Sequence, residues 1–468
     1  MKRVGLIVGL ALAVFAAVGF AVFLYLSRDI PPPDTSDLVV ERPDVADEAN
    51  AFTYFEAAGE VLFYPEDSTL IQRYLAGEPV DEQTVHRIIE RNEETFQWID
   101  KGLACEVCLA PRTSLEDDQP YLYDWRHMAE VLAVRAREER LDGRHEQATD
   151  TCILLLRFTA LIQGNPVSLV DCMVSLAALH MGTDQAIGLA RDEEITKPQL
   201  QRLNQALVRV PLLDQVLIRA MQAEYRVSAS FIDDLVAGKV RTKEFWGKRF
   251  RPGYRFQPNK TKAMLADICR DIIRNASLPC GDIDLSVAEG IARVPPEEYL
   301  LPSANTVGMT QCALTFPAWR EYLKAKCSAE CALAASRLVC ACNLYARDHD
   351  TLPERLDELV PDYIDAVPRD PYDGEPFRYD RANRTVYSVG KDLEDAGGSP
   401  QLLPLGEGRY GMRNRWVTKD AVYGIFEPVE LIEPENAQDM DQSNEELSPQ
   451  MQEAVDRAVQ DAMQELNP

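Results

Sequence analysis

The stretch "WREYLKAKCSAECALAASRLVCACNLYARDHDTLPERLDELV", residues 319–360, sets the character of the chain. Leu323, Cys327, Cys331, Ala334, Leu338, Ala341 and Tyr345 recur at steps of three and four, so one continuous apolar stripe runs along a long helix. Such a stripe is buried against a sheet or a neighbouring helix. Leu352-Pro353 then opens a short helix carrying Leu356, Leu359 and Val360 on one side, and Pro361 closes it.

Downstream, "VPRDPYDGEPFRYDRANRTVYSVGKDLEDAGG" (residues 367–398) is rich in breakers. Pro368 and Pro371 hold Val367 and Asp370 extended. Asp373-Gly374 is a turn pair, and "EPFRY" and "TVYSV" alternate as two short antiparallel strands on either side of "DRANR". In the loop that follows, Gly390, Gly397 and Gly398 let the backbone fold tightly, while Asp392, Glu394 and Asp395 offer hard oxygen ligands of the kind Ca²⁺ prefers. The EF-hand pattern is not met, because position twelve from Asp392 is Leu403. A solvated acidic turn is the plainer reading of the same residues.

From about Ala325 to Gly398 the chain resembles the globular head of the major pseudopilins of type II secretion systems. The likeness is carried by Pro353, Pro368, Asp370, Pro371, Gly374, Pro376, Tyr379, Ser388, Gly390 and Asp392, in the order and spacing of that family's turn motifs. It implies a long helix packed on a small antiparallel sheet, and a Ca²⁺ loop using the carbonyl of Val389 and the carboxylate of Asp392. The family's later Asp pair has no clean counterpart: Asp395 falls early, Asp420 lies far downstream, and Leu393 replaces a Gly. Pseudopilins also carry a Glu near the start of the N-terminal apolar helix. "MKRVGLIVGLALAVF" carries none, so pilin-like processing and polymerisation are not expected.

From about Pro43 to Val240 the chain reads as helix after helix. "HEQATDTCILLLRFTALIQ", with Ala148, Cys152, Leu155, Leu156 and Thr159 at helical spacing, resembles one unit of an α-solenoid, although no exact repeat recurs. Val4 to Leu26 is uninterruptedly apolar and long enough to span a bilayer, longer than the apolar core of a cleaved signal peptide. Lys2 and Arg3 place its short side in the cytoplasm and the bulk of the chain in the periplasm of a bacterial inner membrane.

The expected fold class is therefore mainly α. A membrane anchor (1–28) and a Pro-rich stalk (29–43) precede a helical-repeat-like bundle (44–250). A connecting segment (251–311), a small pseudopilin-like α+β head with a short antiparallel sheet (312–426) and an acidic tail with a terminal helix (427–468) complete it.

Lys and Arg number 49 against 76 Asp and Glu, giving a net charge of −27, and no long basic stripe interrupts the acidity, which excludes a nucleic-acid partner. The cluster Lys248, Arg249, Arg251 and Arg255 with Phe250, Tyr254 and Phe256 is a solvated aromatic loop or a headgroup patch. Cys105 and Cys108 form a CxxC in helical surroundings. It reads as a structural disulfide or a pair of free thiols before it reads as a redox pair, since no βαβ pattern surrounds it. Cys327 and Cys331, on the apolar stripe, are expected to pack as small hydrophobes. The five histidines are scattered, and His127 to Glu130 lacks the second His of a zincin helix. These features point to a membrane-anchored, extracytoplasmic, non-enzymatic binding or assembly protein that docks a protein partner or a second copy of itself. The alternative is an envelope enzyme, a CxxC thiol oxidoreductase or a hydrolase.

Overall fold

The computed structural model describes residues 14–23, 25, 27–39, 42–67, 69–111, 119–239, 256–293, 305–403, 415 and 418–432. Most of the expected acidic tail, the basic residues of the 248–255 loop and the first part of the apolar run lie outside them. The fold is mainly helical, 63% helix, with one small three-stranded antiparallel sheet. Among the described residues no helix is long and apolar enough to cross a membrane; helix α1, residues 14–23, is the described part of the apolar run.

Helices α2 (Ala51–Glu60), α3 (Thr69–Leu75), α4 (Glu82–Arg91), α5 (Glu93–Gly102) and α6 (Tyr121–Leu141) surround the first apolar core. Phe55, Phe158, Ile71, Ile88, Ile99, Met128 and Leu132 are its most buried large side chains. The chain then continues through α7 (His145–Gln163), α8 (Leu169–Ala190), α9 (Lys197–Val208), α10 (Leu213–Ala237), α11 (Pro258–Arg274), α12 (Ser286–Ala292) and α13 (Thr306–His349). Local chemistry fixes the ends. Ser168 and Asp171 form a reciprocal capping box at α8, Asp81 caps α4 by accepting from the Thr84 N–H at 2.9 Å, and Gly238, at φ 67°, ends α10 in the left-handed conformation. Helix α7 lies between two cores: Leu155 and Phe158 face the first, and Cys152 and Leu156 the second.

The second core runs from α7 to the sheet, with α13 through its middle, packed against α8, α9, α11 and α12. The expected single stripe widens here to most of the circumference. Ala329, Ala332, Ala335, Ser336, Val339, Cys340 and Cys342 are buried as well as the stripe residues. Their small size lets neighbouring helices approach from several sides, so between residues 326 and 344 the helix has no exposed face to polarise its pattern.

Strands β1 (Arg378–Asp380) and β2 (Thr385–Ser388) form the expected hairpin, with Tyr379 opposite Val386. Asp380 closes its turn, Oδ1 accepting from the Asn383 N–H at 2.9 Å. A third strand that the sequence did not announce, β3 (Ala421–Gly424), pairs antiparallel with β2, which becomes the central strand. The sheet is tied to the helices: Asn343 donates to the carbonyl of Ile425 at 3.0 Å, and Arg191, the C-cap of α8, to that of Gly424 at 2.9 Å. The short helix expected at 352–360 is a 3-10 turn over Leu356–Leu359, and Val360 faces solvent instead of the core.

Two expectations are corrected. Cys327 does not merely pack: it is disulfide-bonded to Cys280, across a Cα–Cα distance of 6.4 Å. The Cys280 turn is held there because the N–H groups of Cys280 and Gly281 each donate at 2.8 Å, to the carbonyls of Pro371 and Tyr372. The proline-rich segment after residue 28 is strapped to the body where a free spacer was expected. The Asp29 carboxylate accepts from the N–H groups of Asn259 (2.8 Å) and Lys260 (3.1 Å) in the first turn of α11, and Arg270 clamps both oxygens of Asp37 (2.9 and 2.7 Å). Leu38 is buried in the second core. The first-turn N–H groups of a helix need acceptors, and the N-cap residue Gln257 makes no side-chain cap bond to α11, so Asp29 supplies it.

Candidate functional site

The loop expected to hold Ca²⁺ begins where β2 ends. Asp370, 1% exposed, is its centre. Its Oδ1 accepts from the Ser388 hydroxyl (2.7 Å) and the Tyr372 N–H (3.0 Å), and its Oδ2 from the Val389 N–H (2.9 Å) and Arg378 Nη1 (2.8 Å). Burial pushes the Asp370 carboxyl above its usual range, and those hydrogen bonds pull against the shift. Arg378 also contacts Asp373, with Nη1 3.1 Å from Oδ1, and its Nε lies 3.4 Å from Asp395. Hydrogen bonding to Asp373 first, then the charges of Asp370 and Asp395, raise its already high pKa further. One guanidinium thus serves three carboxylates.

Val389 is buried, with Gly390 after it at φ 70°. Asp392 accepts from the Glu394 N–H at 3.2 Å, and Asp395 from the Gly397 N–H at 2.9 Å. Asp420 folds back onto this loop despite its distance in sequence. Fully buried, it accepts from the N–H groups of Gly398 (2.9 Å), Ser399 (2.7 Å) and Ala396 (3.3 Å), and burial raises its pKa. Asp392, Asp395 and Asp420 do not converge as a three-carboxylate group. Ca²⁺ takes six to eight oxygens. Here Arg378 and the loop's own peptide N–H groups engage Asp370, Asp395 and Asp420, Asp392 gives one oxygen to the Glu394 N–H, and the loop acids do not converge, so the donor set as arranged falls short of that coordination number.

Cys105 and Cys108 are free thiols. Their segment docks on Asn50, which exchanges hydrogen bonds with Leu109 (3.0 and 2.8 Å) while capping α2 through the Phe52 N–H (3.2 Å). Cys108 is 2% exposed, and burial, then the charge of Asp171, pushes its thiol far above the ordinary value; burial also raises Cys105. A redox CxxC needs the opposite shift. Beside this segment, Arg42, Asp44, Asp47, Asn50, Thr53 and Glu56 help to line a polar cleft of about 450 Å³.

Among the described residues, one other set of ligating side chains converges. His86 of α4 meets Glu138 of α6 and Asp142 just past its C-terminal end, and their ligating atoms all lie within 4.8 Å of one another. His86 Nε2 is 3.1 Å from Glu138 Oε1, and the Tyr74 hydroxyl donates to Glu138 Oε2. Sequence reasoning passed over this set because His86 and α6 are distant in the chain. The legible part was Glu138 and Asp142, four apart at the C-terminal end of one helix.

Fold and site define a mainly helical protein with a small antiparallel sheet and two polar clusters, one gathered around an arginine and one containing a histidine. Compared with known protein families, curated proteins and solved structures, the chain matches none.

Proposed function

We propose that this is a single-pass, membrane-anchored protein of a bacterial inner membrane, with a cytoplasmic N-terminus and an extracytoplasmic body of binding or assembly type. The observation that carries this reading is α1. Every described side chain in residues 14–23 is exposed and none is charged or hydrogen-bonding, with Phe15 at 83% and Phe20 at 62%. A helix apolar on all faces needs an apolar surrounding. The Cys280–Cys327 bond supports an oxidising compartment. A long helix laid on a small antiparallel sheet supports the pseudopilin-like head, which serves docking of a protein partner or a second copy of the chain. The upward-shifted, buried Cys108 favours this reading over a thiol oxidoreductase.

Carbonate extraction of cell membranes tests the anchor. The full chain is expected to stay in the pellet, and a chain starting at residue 28 to leave it. Release of the full chain, or a mature N-terminus beyond residue 26, refutes the proposal. Crosslinking in intact membranes tests docking, and recovery of monomer alone counts against it.

A further inference from the structure

Helix α6 carries three buried glutamates, and they are not treated alike. Glu130, 2% exposed, accepts from the Tyr64 hydroxyl at 2.6 Å and pairs with Arg126 at 3.2 Å. Glu139, 2% exposed, accepts from the Thr151 hydroxyl at 2.6 Å and pairs with Arg135 at 2.9 Å. In both, the arginine stands four residues earlier and neutralises the acid along the helix face.

Glu138, 6% exposed, follows a different rule. The residue four before it is Val134, and the residue four after it is a second acid, Asp142. Among the described residues no Lys or Arg nitrogen lies within 4.0 Å of Glu138; Arg137, its neighbour, stands over the face of the Tyr74 ring instead, 5.3 Å from its centroid. Carboxylates four apart on a helix repel, and a buried carboxylate without a cation is costly. A hydrogen bond from His86 accounts for Glu138 alone. It does not account for Asp142 being brought within 4.8 Å of both, where among the described residues Arg144, at 2.9 Å from Oδ2, is the one cation to offset it.

We propose that His86, Glu138 and Asp142 bind one divalent transition-metal cation of the Zn²⁺ class, which staples α4 to α6. One imidazole nitrogen and two carboxylates form a mixed N/O set suited to such ions, and too small for Ca²⁺. The ligating atoms lie within 4.8 Å of one another, so a small side-chain adjustment brings all three to bonds of about 2.0–2.2 Å from one ion. Tyr74 supplies the outer support that metal sites need, since its hydroxyl fixes Glu138 through Oε2 and leaves Oε1 toward His86. The solvent-facing sides of His86 and Asp142 give the ion access and leave its remaining positions to water. The site is independent of the anchor and of the head loop.

The test is a titration of the EDTA-stripped full chain, in detergent micelles, with Zn²⁺ alone by calorimetry and with Co²⁺ by visible absorption. One saturable equivalent is expected, with a Co²⁺ spectrum free of thiolate charge transfer. His86→Ala and Asp142→Asn, both at exposed positions, should each weaken binding by about a hundredfold or more, and Tyr74→Phe by about tenfold. Metal-free melting of Asp142→Asn should match the parent, which separates lost ligation from lost folding; His86→Ala also takes the imidazole from buried Glu138 and is read by binding alone. The absence of a saturable equivalent, a thiolate band, or affinity kept within about tenfold of the parent in either ligand variant overturns the proposal.

Discussion

Replacing Arg378 by Met tests what holds the head together. The side chain is 17% exposed and lies 2.8 Å from Asp370, whose own side chain is fully buried. Removing one partner of a buried ion pair costs about 3–5 kcal/mol, because the other charge is left uncompensated. Asp370 keeps its bonds from Tyr372, Ser388 and Val389, and Arg378 is partly solvated, so the low end applies. About 3 kcal/mol corresponds to opening of the loop on the order of a hundredfold more often. Amide hydrogen exchange reads this directly, since the Val389 N–H donates to Asp370 and the Gly390 N–H to the Ser388 hydroxyl at 3.1 Å. Exchange across residues 385–399 should accelerate by about that factor while α2 to α5, in the other core, stay as protected as before. Adding Asp373→Asn should recover part of the loss by removing one orphaned acid. If Arg378→Met leaves protection of Val389 unchanged, the shared guanidinium is not what closes the loop.

Other outcomes follow from the same geometry. Ca²⁺ and chelator should leave the melting temperature of the parent and of Asp392→Ala equally unmoved, because the protein's own donors fill the loop; a Ca²⁺-dependent rise in the parent alone would show a site. Cys280→Ser with Cys327→Ser should lower stability by up to about 4 kcal/mol, the chain-entropy value for a closed loop of 47 residues, and reductant should lower the melting point of the parent but not of the double variant. Gly308→Ala should cost about 1–3 kcal/mol, because a Cβ there collides with Thr261 Oγ1 and Asn305 Nδ2 where α11 and α13 meet; an unchanged denaturation midpoint would contradict it. Burial holds His127 and His180 below the ordinary histidine value, so the unfolded chain binds more protons and stability falls as pH drops below about 6.5. The buried acids Asp370 and Asp420, shifted upward, act in the opposite sense at lower pH. His127→Phe, which keeps a ring on Tyr64, should therefore flatten the decline in melting temperature between pH 7 and 5.5 relative to the parent; parallel curves would refute this.

What the sequence announced was local. The spacing in residues 319–360 marks the long helix, and the turn residues around 373 and 380 mark the hairpin, because both signals sit within a few residues of one another. Strand β3 escaped notice because all four of its residues are buried, which erases the alternation that identifies a half-exposed strand. The same long-range blindness hid Asp29 capping α11, Asp420 closing a loop more than twenty residues upstream, and the pairing of Cys280 with Cys327. Arg378 was legible only as an alternating strand residue, since nothing in its neighbours names the acids it gathers.

The strap at Asp29 has a mechanical meaning. A free linker of about fifteen residues would let the body wander roughly 20 Å from its attachment point. Pinned at Arg28 and Asp29 to the start of α11, two residues past the end of the apolar run, the body has no such radius. Under the proposed anchoring it is a foot and not a kite. Its encounters are set by lateral diffusion in the plane of the bilayer, and any load on it passes straight into α11 instead of being absorbed by slack chain.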